Sequence, residues 1–166
     1  MEITYVLTAE MDARSFDWLD ALRREHFPEA RNFLSAHLTL FHKLSSAQIA
    51  CLRSFDTPSV PITLRFDRAV FLGNGVAIGV RCAALERLRN EARSALKGEL
   101  SQQDRQPWKP HVTIQNKVSA ETGRQLHKIL EANFAERAGA ATGLLVWEYQ
   151  GGPWRLSERI AFGTFL

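Results

Sequence analysis

The 166-residue chain is 45% apolar and 23% charged, which suits a packed core and argues against disorder. A net charge of +3 and a pI of about 9.1 fit a phosphate-bearing ligand without requiring one. The longest weakly polar run, residues 139–147, is too short and glycine-rich to span a bilayer, so a cytoplasmic protein with no membrane contact is expected.

In chain order, residues 3–8 alternate and are rich in β-formers, which predicts an opening strand and not a signal peptide. Residues 13–26 carry Phe16, Leu19 and Leu22 at helical spacing, and Pro28 ends that helix. A loop over 29–36 leads to a strand over 37–43. A short helix over 46–55 follows, capped by Ser45 or Ser46. Runs 61–71 and 76–82 flank Gly73-Asn74-Gly75, a hairpin signal. Residues 83–100 read as a helix, 101–110 as a polar loop and 111–117 as a strand. Ser119 is placed to cap a helix over 119–134, and 142–149 with 155–165 read as a hairpin turning at Gly151-Gly152-Pro153. Mixed helices and strands with two hairpins predict an α+β fold with antiparallel sheets, in a single domain over 1–166. Cys51 and Cys82 form no CxxC pair and read as reduced buried thiols.

An internal echo stands above this background. His37-Leu38-Thr39-Leu40-Phe41-His42-Lys43 overlays His111-Val112-Thr113-Ile114-Gln115-Asn116-Lys117 at a constant offset of 74 residues. His, Thr and Lys coincide, as do the apolar second and fourth positions. Arg31 and Arg105 coincide too, each six residues before its histidine. Side chains alternate along a strand, so His37, Thr39, Phe41 and Lys43 are expected on one face. Leu38, Leu40 and His42 are expected on the other, which leaves His42 outside the site. In the second element His111, Thr113, Gln115 and Lys117 share a face opposite Val112 and Ile114.

Two imidazoles on one cavity suit opposed acid and base roles, because imidazole titrates near neutrality and each ring's charge restrains the other's protonation. Phosphodiester cleavage needs such a pair: one group takes the attacking oxygen's proton and the other protonates the leaving oxygen. Threonine hydroxyls can hold the non-bridging oxygens as charge builds on them. Lys43 and Lys117 are either solvated strand ends or phosphate contacts, and Arg31 and Arg105 are weaker candidates of the same kind. Trp108 and Phe41 are candidates to stack on a base. No metal is required, and a site of His37, His42 and His111 is disfavoured by parity and by the lack of Asp, Glu or Cys at ligand spacing.

These elements resemble the 2H phosphoesterases, which include the 2′-5′ RNA ligase-like proteins and cyclic phosphodiesterases and are marked by two His-hydrophobic-Ser/Thr-hydrophobic elements. The segment Pro107-Trp108-Lys109-Pro110-His111 is similar to the aromatic-x-Pro-His lead-in of some members, whereas Leu34-Ser35-Ala36 precedes the first element. The resemblance implies a bilobal α+β fold of pseudo-twofold symmetry, with two antiparallel sheets flanking a central groove and helices packed outside. It implies His37 and His111 as the acid–base pair and Thr39 and Thr113 as phosphate-oxygen holders, with no cofactor and no metal. The expected substrate is an RNA end or small nucleotide with a 2′,3′-cyclic phosphate or 2′-5′ linkage, met by a monomer. The alternative is a binding module of the same fold that recognises RNA or nucleotide without turnover.

Overall fold

A computed structural model describes residues 2–163. Its elements are β1 (Thr4–Met11), α1 (Ala13–His26), a 3₁₀ turn (Glu29–Arg31), β2 (Leu38–Leu44), α2 (Ser46–Arg53), β3 (Ile62–Phe71) and β4 (Val76–Arg81). They continue with α3 (Ala83–Ala95), α4 (Gln102–Arg105), β5 (His111–Gln115), α5 (Ala120–Ala132), β6 (Arg137–Tyr149) and β7 (Arg155–Ala161).

Local chemistry explains most boundaries. Asp12 caps α1 by accepting from the Ser15 amide at 3.2 Å. Ser45 and Gln48 form a reciprocal capping box on α2, and Ser119 caps α5 through the Thr122 amide. At α3 the cap is sulfur: Cys82 Sγ accepts from the Leu85 amide at 3.3 Å, and burial pushes the thiol's pKa up.

The expected helix over 83–100 stops at Ala95. Leu96 turns extended and packs on the core, and Gly98 adopts φ +88°, a left-handed conformation open to glycine. The expected loop over 101–110 holds one helical turn, α4, capped by Ser101. Strand β1 runs on to Met11, and β6 starts at Arg137, five residues ahead of expectation. The added stretch, Ala138-Gly139-Ala140, lacks β-formers because the start of α1 lies on it. A Cβ at Gly139 would sit 2.2 Å from Ser15 Oγ. Strand β7 ends at Ala161, and Phe165, the end of the expected strand, lies outside the described residues.

The strands form one antiparallel sheet in the order β2-β1-β6-β3-β4-β5, with β7 also on β6. The two expected sheets are thus continuous through β6. One edge of β6 pairs β1, while the other is divided between β3 (137–141) and β7 (143–148). Leu38, Leu40, Val112 and Ile114, the inner residues of the two motif strands, are fully buried. Complete burial of each such side chain contributes about 1.5–3 kcal/mol. No helix among the described residues is long and apolar enough to cross a membrane.

The hairpin between β3 and β4 seats itself under β5: a Cβ on Gly75 would lie 2.0 Å from the Gln115 carbonyl oxygen, whereas Gly73 faces open space at φ +94°. Gly75→Ala must push one backbone off another and is expected to cost about 2 kcal/mol or more in denaturant titrations. Gly73→Asn, which keeps a residue tolerant of positive φ, is expected to change stability by less than about 1 kcal/mol.

Candidate active site

Strands β2 and β5 stand at opposite ends of the strand order, yet their motif side chains line one groove. His37, Thr39, His111 and Thr113 share a 280 Å³ cavity with His42, Trp108, Lys109 and Trp154. The two histidines are held alike. His37 Nδ1 lies 2.7 Å from the Ser35 carbonyl, and His111 Nδ1 lies 2.7 Å from the Lys109 carbonyl. A carbonyl only accepts, so each Nδ1 carries the hydrogen and each Nε2 is left for the groove.

Parity fails within β2. Thr39 pairs Thr8 and Phe41 pairs Leu7, so two residues of β2 are set against one of β1. This bulge turns the strand. Phe41 is fully buried beneath the Arg89 guanidinium, 4.5 Å from its ring, which corrects its assignment as a stacking residue: neither ring face is open to a base. His42 turns outward and lines the groove, which corrects its exclusion. Lys43 is exposed and does not line it. Strand β5 ends at Gln115, and Lys117 sits past it at φ +60°, so the parity that placed Lys117 beside Thr113 has lapsed. Arg31, on the 3₁₀ turn, and Arg105, on α4, are exposed and line no part of the cavity. Lys109 is the lysine that does.

The open edge of β2 is covered by side chains instead of another strand. Asp104 on α4 has a side chain with 0% exposure. Its carboxylate accepts from the His42 amide at 2.8 Å, the Lys43 amide at 3.0 Å, His42 Nδ1 at 3.0 Å and Ser101 Oγ at 3.1 Å. Burial opposes its ionisation, but the bonds from the His42 ring and the two amides prevail and hold its pKa below the usual carboxylate value. Arg89 of α3 donates from Nε to the Leu40 carbonyl at 2.8 Å and from its guanidinium to the Asp104 carbonyl at 3.0 Å. Trp108 Nε1 donates to the Thr39 carbonyl at 3.1 Å, so the indole braces the strand as it lines the groove.

The other motif strand is held from the opposite half. Arg23 of α1 donates to the Thr113 carbonyl at 3.0 Å and to Asn32 Oδ1 at 2.9 Å. Asp20, one turn earlier, accepts from the Ala36 amide at 2.9 Å, beside His37. Burial draws the pKa of both arginines down, yet a guanidinium stays charged at neutral pH.

Desolvation pushes His37 from 6.5 to about 4; Arg23, His42 and His111 add to the fall and the Ser35 carbonyl opposes it. His37 is therefore neutral at physiological pH. Trp154, just ahead of β7, sets its ring 4.7 Å from that of His37. Sequence reasoning missed Asp104, Arg89, Arg23 and Trp154, since each lies far along the chain from what it touches. Only Trp154 carried a signal, an aromatic beside the Gly151-Gly152-Pro153 turn.

Fold and site together define a two-histidine protein with a groove shaped by two motif strands. Residues 11–153 match the 2′-5′ RNA ligase superfamily, and the chain belongs to that family. E. coli LigT, solved with 3′-AMP, has a similar fold: TM-score 0.62, 20% identity, 99% of this chain and 100% of that one covered. A structure described as a phosphoesterase gives 0.61 at 19% identity, covering 98% and 99%. The protein TT0787 of Thermus thermophilus gives 0.66 at 13%, covering 96% and 97%. No curated protein matches by sequence.

Two measurements check this site. The His37 ring signal in an NMR titration is expected to move with a midpoint near 4. Because the unfolded chain protonates near 6.5 and the folded chain only near 4, stability is expected to fall as pH drops through that window. Asp104→Ala leaves the His42 and Lys43 amides without their acceptor and is expected to cost about 1–3 kcal/mol by chemical denaturation. A loss under about 1 kcal/mol would mean that Asp104 does not hold the β2 edge.

Proposed function

We propose that this protein is a metal-independent phosphodiesterase acting on 2′,3′-cyclic phosphates or 2′-5′ linkages of RNA or nucleotides. The observation that carries the reading is the matched pair of imidazoles. Both have Nδ1 pinned on a carbonyl, both have Nε2 free, and both border one cavity with two threonine hydroxyls. Support also comes from E. coli LigT, whose structures contain 3′-AMP, NADP+ or ATP. Those ligands belong to that protein, and a nucleotide is the class we carry over.

In cleavage of a 2′-5′ linkage, the vicinal 3′-hydroxyl attacks phosphorus and its proton passes to Nε2 of His37. The bond from phosphorus to the 5′-oxygen breaks, and that oxygen takes a proton from Nε2 of His111. The products are a 2′,3′-cyclic phosphate and a 5′-hydroxyl. Hydrolysis of the cyclic phosphate then exchanges the roles: His111, left neutral by the first step, takes a proton from water, and His37 passes the proton it took up from Nε2 to the departing ribose oxygen. Thr39, Thr113 and Lys109 face the non-bridging oxygens, where developing charge is stabilised by donors already in place.

His42 faces the groove beside the catalytic pair, but its Nδ1 is committed to Asp104. Among the described residues no group of three His, Cys, Asp or Glu side chains is placed to hold a metal ion.

EDTA-treated protein is expected to turn over 2′,3′-cyclic nucleotides or 2′-5′-linked dinucleotides. His37→Ala or His111→Ala should each lower kcat by about 10²–10⁴. For 2′-5′ cleavage, where His37 is the base, kcat/KM is expected to hold until pH falls toward 4. Turnover that survives the double substitution would end the two-histidine mechanism. Nucleotide binding without turnover across both substrate classes would instead establish a binding module.

A further inference from the structure

The two halves of the site are matched at the histidines and unmatched around them. Beside His37 lies a second cavity of 720 Å³, within the roughly 300–1,000 Å³ usual for small-molecule sites. His37 and Trp154 border both spaces, so the two are adjacent. The second cavity is walled by Phe16, Phe33, Leu34, Trp147 and Trp154. Trp147 is held by a 2.9 Å bond from Nε1 to Thr8 Oγ1, and its ring lies 6.2 Å from that of Trp154. Phe33 stands at this cavity with 66% of its surface exposed. Among the described residues His111 is in no ring pair of that kind; it shares the first cavity with Trp108, and its Nδ1 is held by the Lys109 carbonyl.

The charges of the cavity are as informative as its rings. Glu10, Asp12 and Asp17 line it against one cation, Arg159, which is already paired with Glu10. Asp12 is occupied by the Ser15 and Ala140 amides. A phosphate entering here would meet surplus carboxylates and no free cation. A flat uncharged ring would meet aromatic faces, on which any base can stack.

We propose that this cavity is a nucleobase subsite. It receives the neutral base of the nucleoside whose ribose oxygen exchanges its proton with His37, and it does not accept a further phosphate. This rests on the phosphodiesterase reading above, and it orients the substrate: the base-bearing side lies at His37 and the other substituent lies at His111.

Calorimetric binding tests this without turnover. The probes are adenosine 3′-monophosphate, inorganic phosphate and pyrophosphate, against wild type, Trp154→Ala and Phe33→Ser. Wild type is expected to bind the nucleotide at least tenfold more tightly than phosphate. Each substitution is expected to remove about tenfold of that advantage, and Phe33→Ser, which lies outside the catalytic cavity, is expected to leave phosphate affinity unchanged. Phe33→Ser keeps the test sound if Trp154→Ala disturbs His37, because Phe33 is largely exposed. A nucleotide advantage that survives both substitutions overturns the subsite, as does pyrophosphate binding that gains on phosphate and is lost with Phe33→Ser. Base-dependent binding without turnover would sink the phosphodiesterase reading and leave the subsite standing. Turnover needing both histidines, with no advantage for the base, would do the reverse.

Discussion

A buried carboxylate at the edge of a sheet is the constraint on which the site depends. Strand β2 carries the first motif but has a neighbour on one side only, so its outer amides and carbonyls need partners. Asp104 supplies acceptors for the amides of His42 and Lys43, and Arg89 and Trp108 supply donors for the carbonyls of Leu40 and Thr39. A carboxylate so enclosed is costly to bury and depends on the donors that surround it. It tolerates one register of β2, and with it one placement of His37, Thr39 and His42.

The same logic, crossed, joins the halves of the molecule. A helix of the second half, α3, sends Arg89 to the first motif strand. A helix of the first half, α1, sends Arg23 to the second motif strand. Each strand is thereby positioned by the half that carries the other. Asp20 on α1 also fixes the backbone beside His37, so one helix helps to set both histidines. The sheet connects the halves through β6, while these side chains define the groove between them.

Symmetry ends at the first ring of atoms around the imidazoles. The Nδ1 contacts are equivalent, but His37 has Trp154 and the aromatic-walled cavity beside it, and His111 has Lys109. Desolvation on the His37 side keeps that ring neutral at physiological pH. A duplicated element thus acquires unequal surroundings through residues that are not duplicated.

What could be read from the sequence was local. Apolar alternation placed Leu38, Leu40, Val112 and Ile114 inward, and short-range hydrogen bonding located the caps at Ser119 and at Ser45 or Ser46, of which the structure uses Ser45. The helix at α1 was legible for the same reason, since its periodicity and its stop at Pro28 lie within a few residues. The bulge in β2 was not, because it exists only in the pairing of Thr39 and Phe41 with β1, and parity counted along one strand therefore exchanged Phe41 and His42. The early end of α3 escaped for a related reason: Leu96 leaves the helix to reach a core that periodicity does not describe. By itself the sequence determined that two His-x-Thr elements sit on strands with apolar backing, because alternation and spacing are properties of neighbouring residues. Tertiary structure alone decided that the elements meet in one groove, that His42 joins it, that Asp104, Arg89 and Arg23 hold it, and that Trp154 makes its sides unequal. Those outcomes come from contacts between residues tens of positions apart, which no local pattern specifies.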